Sequence, residues 1–103
     1  GNSLRRLLQN HLGSVPLTLD VTAEITGIAP RTLQRRLSDS GMTYQQVIEQ
    51  LRFETSLPLL LDRQLNITAI AFELGYSDSA HFTRAFRRWA GMSPREYRRR
   101  HAA

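Results

Sequence analysis

Slid along itself by about half its length, the chain meets its own pattern. "TAEITG" at residues 22–27 falls on "IAFELG" at 70–75, "LQRRL" at 33–37 on "FTRAF" at 82–86, and "GMT" at 41–43 on "GMS" at 91–93. The offset drifts from 48 to 49 to 50, so the second copy has gained one residue after its glycine and another before its "GM" turn. Drift confined to turns is what duplicated helices with unequal loops produce. A tandem repeat of this size restricts the fold to two copies of one supersecondary unit and whatever joins them.

Apolar residues recur three and four apart almost throughout, and no segment alternates cleanly as a half-buried strand does, which makes the class all-α. Each copy predicts helix, tight turn at glycine, helix: Leu19 to Thr26, Gly27, then Pro30 to Ser38, and Ile67 to Leu74, Gly75, then Asp78 to Trp89. This is the helix-turn-helix pattern. Ala23 and Ala71, four residues before their glycines, are small enough for the two helices of each motif to approach closely. Thr22 stands where the second copy has Ile70, a departure expected to weaken the first core. Thr18, Thr43, Asn66 and Ser93 mark helix starts, Thr43/Gln46 and Ser93/Glu96 have capping-box spacing, and Pro94 takes the first helical position. The predicted architecture has about seven helices in one chain: a first helix-turn-helix lobe over 1–42, a linker helix over 43–62 and a second lobe over 63–103.

In the linker, Tyr44, Val47, Ile48 and Leu51 share one side, while Phe53, Leu57, Leu60 and Leu61 cluster on roughly the opposite side. Such a helix packs one end on each lobe and fixes their relative orientation. Pro58 cannot donate to the carbonyl of Glu54, so a break or bend is expected between Thr55 and Leu59, with Ser56 capping a restarted turn; the alternative is a slight bend tolerated by the packing of Leu57, Leu60 and Leu61.

Charge is segregated. The formal charge is +5, lysine does not occur, and seven of the fourteen arginines lie between Arg84 and Arg100, where Glu96 is the only acid. Such a surface attracts polyanions. On the second helix of the first copy Leu33 and Leu37 form the buried face, which leaves Arg31, Gln34, Arg35 and Ser38 as an outward stripe at i, i+3, i+4, i+7. In the second copy Phe82, Phe86 and Trp89 are the expected buried face, and Ala80, Thr83, Arg84 and Arg87 point outward. Arg35 and Arg84 occupy the same register. A solvated face normally mixes signs, whereas these carry arginine with neutral hydrogen-bonding or small residues. Arginine and glutamine make bidentate bonds to guanine and adenine edges in the major groove, so Arg31, Gln34 and Arg35 are expected to read bases. Arg36 lies beside the stripe and is assigned to a phosphate, as are His81, Arg87 and Arg88.

Other residues are assigned no chemistry. Trp89, Tyr76 and Tyr97 are expected in packing, and the terminal "YRRRHAA" reads as a helix end favoured by its dipole. No metal site or cofactor is expected, since His11, His81 and His101 share no ligand spacing, and no nucleophile, base and orienting group recur together as an enzyme would need. Absence of cysteine excludes disulfides, and no apolar run approaches the roughly 20 residues of a membrane-spanning helix. A cytoplasmic protein is expected. The start at Gly1 suggests a piece of a longer chain.

Two helix-turn-helix motifs joined by a linker helix, with "GYSDSAHFTRAFRRWAGMSPREYR" at 75–98, strongly resemble the DNA-binding domain of the AraC/XylS transcription regulators. The resemblance covers nearly the whole chain. It implies insertion of two recognition helices into adjacent major-groove segments of bacterial promoter DNA. It carries base-reading roles onto Arg31, Gln34 and Arg35, then Ser79, Ala80, Thr83 and Arg84. It also implies a further N-terminal domain that binds effector or dimerises. RNA polymerase is a candidate second partner, and the fragment itself is expected to be monomeric, since its two motifs are fused head to tail and differ in their reading residues. The family commonly has a capping serine at the position of Ala29, a difference worth about 1 kcal/mol. Two rival functions share the basic face: a protein-interaction module for an acidic partner, and RNA binding, which the lack of exposed aromatic platforms disfavours.

Overall fold

Side chains that accept backbone hydrogen bonds set the helix starts. Thr18 Oγ1 accepts from the amide of Val21 at 3.2 Å, Asn66 Oδ1 from Ala69 at 2.7 Å and Ser93 Oγ from Glu96 at 3.1 Å. Thr43 and Gln46 form the full reciprocal box, at 3.1 and 2.9 Å. The computed structural model describes residues 2–14 and 16–101, with side chains from Arg6 onward. Its helices are α1 (Asn2–Gln9), α2 (Leu19–Thr26), α3 (Pro30–Ser40), α4 (Tyr44–Leu61), α5 (Ile67–Glu73), α6 (Ser79–Ala90) and α7 (Pro94–His101), with no strand among the described residues. The last two residues of "YRRRHAA" lie outside the described residues.

Helix α4 is the axis of the fold and packs against α1, α5, α6 and α7. Its Ile48, Leu51 and Leu60 join Leu8, Leu12 and Leu17 from the N-terminal segment and Ile70, Ala71, Leu74, Phe82 and Phe86 from the second repeat in one continuous apolar cluster. Aromatic edges and faces extend it: Phe53 lies 5.2 Å from Phe86, and Phe86 5.6 Å from Tyr97, between ring centroids. Helices α2 and α3 pack on each other, and Ala23 on α2 and Leu33 on α3 are buried. The molecule is elongated, 43 × 25 × 23 Å.

Four expectations are corrected. Thr22 does not leave a hole in the first motif: it is 2% exposed and its hydroxyl is hydrogen-bonded to the Tyr44 hydroxyl, which in turn donates to the Thr18 carbonyl at 3.2 Å. A buried hydroxyl with a partner costs little, and this one ties α2 to the start of α4. Helix α4 does not break at Pro58 but runs unbroken from Tyr44 to Leu61. Pro58 is exposed while Ser56 and Leu60 are fully buried, so the ring faces solvent and core packing holds the turn together. Ser56 caps no restarted turn; its hydroxyl donates backwards to the Phe53 carbonyl at 2.6 Å. Leu61 and Trp89, expected inside, are 48% and 39% exposed: each lies near the C-terminal end of its helix, and Trp89 keeps contact with α4 through one face of its ring.

The C-terminal arginines are not merely a solvated helix end. Arg98 donates from Nε to the Leu60 carbonyl at 2.8 Å and from Nη2 to the Asp62 carbonyl at 3.1 Å, so a side chain of α7 satisfies acceptors at the C-terminal end of α4.

Candidate nucleic-acid interface

Helix α3 buries Leu33, half-buries Leu37 and exposes Arg31, Gln34, Arg35, Arg36 and Ser38. Among the described residues none of these three arginines forms an ion pair. The local cause is the amphipathic spacing: with Leu33 and Leu37 turned inward, every polar residue between them is turned outward. The helix starts at Ala29 without a side-chain cap, with Pro30 in the first turn.

Helix α6 is built on the same plan but better anchored. Phe82, Ala85 and Phe86 are buried, and Asp78 caps the N-terminus by accepting from the His81 amide at 2.8 Å. That hydrogen bond, aided by the nearby His81 and Arg84, holds the Asp78 carboxyl below the usual carboxylate range. Ala80, Arg84 and Arg87 are exposed, while Ser79 and Thr83 are half-buried and line a groove of about 300 Å³ with Thr68, Ser93 and Arg95. His81 Nδ1 lies 2.9 Å from Ser77 Oγ and 3.3 Å from Asp78 Oδ1, so one ring nitrogen is engaged at the helix start.

Between the N-terminal ends of α2 and α4 on one side and α6 on the other runs a cleft of about 950 Å³ whose walls include Thr18, Thr43, Arg52, His81, Arg84 and Arg88. Arg88, assigned to a phosphate from the sequence, is held across this cleft by Glu49: Nε and Nη2 both donate to Oε1, at 3.1 and 2.9 Å. The Trp89 indole donates to the same oxygen at 3.0 Å, and its ring stacks on Phe53 at 5.8 Å. Arg52 sits 5.0 Å above the Tyr76 ring, a cation–π contact at the seam. Burial pushes the Tyr76 phenol up, and Arg52 offsets part of that rise. Sequence alone gives Glu49 and Arg52 no role; the signal it does carry is their spacing with Phe53 on the α4 edge that meets the second repeat.

The arrangement is thus two helix-turn-helix units, each presenting a basic second helix, on one connecting helix. A family model described as "Helix-turn-helix domain" matches residues 22–100, most of the chain and both repeats. The chain belongs to the AraC family of helix-turn-helix domains. Its relatives include the transcriptional regulator VqsM of Pseudomonas aeruginosa, 40% identical over an alignment 98 residues long that covers 92% of this chain and 30% of VqsM. The chain therefore spans about 30% of the length of that relative. Among solved structures, a DNA-binding transcriptional dual regulator from Escherichia coli K-12 superimposes with a TM-score of 0.85 at 26% identity, covering 94% of this chain and 86% of the other. An AraC-type DNA-binding protein from Chromobacterium violaceum gives 0.81 at 26% identity over 94% and 87% of the two chains. AraC-family domains of this kind are DNA-binding parts of transcription regulators, and none of the helices described in this one is long and apolar enough to cross a membrane.

Proposed function

We propose that this domain reads double-stranded promoter DNA by laying α3 and α6 in successive major-groove segments, and that it regulates bacterial transcription without performing chemistry. The observation that carries this reading is the exposed Arg31/Gln34/Arg35 stripe of α3, whose arginines form no ion pair among the described residues, matched in register by Arg84 on α6. In this reading Arg31, Gln34, Arg35, Ser79, Ala80, Thr83 and Arg84 face bases. Arg36, His81 and Arg87 face phosphates, and Arg88 reaches one only by exchanging Glu49 for it. The 43 Å long axis suits two groove faces about 34 Å apart along B-DNA. The two reading surfaces differ, so the expected target is an asymmetric site of about two helical turns bound by one copy of the domain. Effector binding and dimerisation belong to other parts of the full-length regulator, and RNA polymerase is a second partner of the promoter-bound protein. The cytoplasm is where such a regulator acts.

The test is a titration of the domain against a site selected from a random duplex library, against unrelated duplex and against an acidic protein surface, each at several salt concentrations. The proposal expects selected DNA to bind about 10³-fold or more tighter than unrelated duplex, with a steep salt dependence. Equal affinity for all duplexes would overturn base reading, and preference for the acidic protein would favour the interaction-module alternative.

A further inference from the structure

Joining two motifs by one helix leaves their mutual angle free to change by bending or twisting of that helix, unless a second contact off its axis opposes the motion. Such a contact exists at the N-terminal end of the chain. After α1 the backbone turns at Gly13 (φ +80°) and runs directly against the C-terminal end of α5 in the second motif. A β-carbon on Gly13 would lie 2.5 Å from the Glu73 carbonyl oxygen and 2.9 Å from that of Phe72, both backbone atoms that no rotamer change can move aside. From the other side, a β-carbon on Gly75 (φ +97°) would lie 3.2 Å from the Gly13 nitrogen and 3.4 Å from Arg52 Nη2. Leu8, Leu12 and Leu17 on either side of Gly13 are buried in the same cluster as Ile70, Ala71 and Leu74 of the second motif, which presses the two backbones together. Leu17 leads straight into the Thr18 cap of α2, so the turn is chained to the first motif while it abuts the second.

We propose that Gly13 and Gly75 are positioning residues for recognition. They form a backbone-to-backbone seam that, together with α4, locks the angle between the two helix-turn-helix motifs, so that α3 and α6 meet DNA as one rigid unit. Glycine is required at Gly13 twice over, for its positive φ and for the close approach. This separates it from Gly27, which also has positive φ (+71°) but around which an added β-carbon would meet nothing within 4 Å. Gly27→Ala imposes the backbone strain alone; Gly13→Ala imposes strain and wedges the seam apart.

The chain contains no cysteine, so a spin-label pair introduced through Asp39→Cys on α3 and Arg95→Cys on α7 is unique, and both positions are exposed. Pulsed electron paramagnetic resonance on the DNA-free protein should give one narrow inter-label distance distribution in the parent and in Gly27→Ala, and a broadened or shifted one in Gly13→Ala. If Gly13→Ala does not fold, Gly75→Ala, with its longer contact, is read in the same way. A distribution as narrow and unshifted as the parent's in the folded seam variant would overturn the proposal.

The consequence for recognition rests on the DNA-reading proposal and is measured separately. Affinity for a two-turn duplex selected by the parent should fall about tenfold or more in Gly13→Ala relative to Gly27→Ala, because loosening dilutes the second motif around its half-site. Binding to a duplex carrying the first half-site alone should be unchanged, and equal losses on both duplexes would reduce the seam to general stability. If the parent itself does not distinguish selected from random duplex, the functional proposal fails while the distance measurement still decides the seam.

Discussion

The Arg88 guanidinium is bound through two of its nitrogens to a single carboxylate oxygen of Glu49, 39 residues away on the connecting helix. The pair bridges α4 and α6 at the rim of the cleft, and the same oxygen also accepts from Trp89. Arg88 is 62% exposed at its side chain, so the pair contributes about 0–1 kcal/mol to stability, and its larger effect is on charge: it withholds one cation from any phosphate nearby. Glu49→Gln keeps an acceptor and removes the charge. Affinity for duplex DNA should rise, the log–log salt slope should steepen by about 0.9, as for one more neutralised phosphate, and stability should change by less than about 1 kcal/mol. Titrations at a series of salt concentrations check this, and an unchanged slope would remove Arg88 from the set of phosphate contacts.

The three exposed arginines of α3 divide by position. Arg35, like Arg84 on α6, lies on the proposed base-reading stripe, and Arg36 lies beside it. Arg35→Ala and Arg84→Ala should each weaken the selected site by about 1–3 kcal/mol and relax preference at the bases they meet. Arg36→Ala should instead weaken all duplexes alike and flatten the salt slope by about 1. Selection from a random library with each variant separates the two behaviours; an unchanged preference with Arg35→Ala would move the recognition face elsewhere on α3.

What the sequence disclosed were the features written locally or repeated. The duplication located both motifs, and Thr18, Thr43, Asn66 and Ser93 marked helix starts because a cap needs only its own next three residues. The outward arginines followed from the positions of Leu33, Phe82 and Phe86. Features set by distant residues were not legible. Pro58 predicts a break until it is known that Ser56 and Leu60 are buried and the proline ring faces solvent. Thr22 looks like a packing defect until Tyr44, 22 residues on, supplies its partner. The Glu49 pair, the Arg98 cap and the Gly13 seam each join segments that no periodicity connects.

The two recognition helices begin differently, Asp78 capping α6 and Ala29 offering α3 nothing. Ala29 has φ −59° and ψ 143°, an extended geometry from which a short hydroxyl can reach the amides of the first turn. Ala29→Ser should therefore stabilise the domain by about 1 kcal/mol, read as a rise in the midpoint of chemical denaturation with an unchanged denaturant slope. No rise would mean that the α3 start is held by Pro30 and packing alone.

Asp78 makes the α6 cap sensitive to acid. Its pKa is lowered in the folded protein, chiefly by the hydrogen bond from the His81 amide, so its contribution to stability is fully present above the ordinary carboxylate pKa. That contribution is lost as pH falls from the ordinary value through the lowered one. Asp78→Asn can still accept the amide hydrogen bond but cannot titrate. Across this acidic window the stability difference between parent and Asp78→Asn should shrink as pH falls. Chemical denaturation of both proteins along a pH series checks this, and a constant difference would remove Asp78 from the acid response.

Arg98 offers the sharpest separation of stability from recognition. It lies among the arginines of α7, where composition alone assigns it to a polyanion, yet its Nε and Nη2 are turned inward to the Leu60 and Asp62 carbonyls. These acceptors terminate α4, the helix on which both motifs are mounted, and a charged donor to a carbonyl is worth about 1.5–3 kcal/mol. Arg98→Ala should therefore cost about 1.5–3 kcal/mol of folding stability, whereas its exposed neighbour Arg99→Ala should stay within about 0.5 kcal/mol. Both substitutions remove one positive charge, so a charge effect alone would act on them alike. Denaturant titrations of the two variants give the stability difference, and DNA titrations under strongly folding conditions give the other half. There Arg98→Ala should bind DNA with the salt slope of the parent, because a guanidinium committed to two carbonyls neutralises no phosphate. A flattened slope with unaltered stability would reverse the assignment and return Arg98 to the DNA-facing surface.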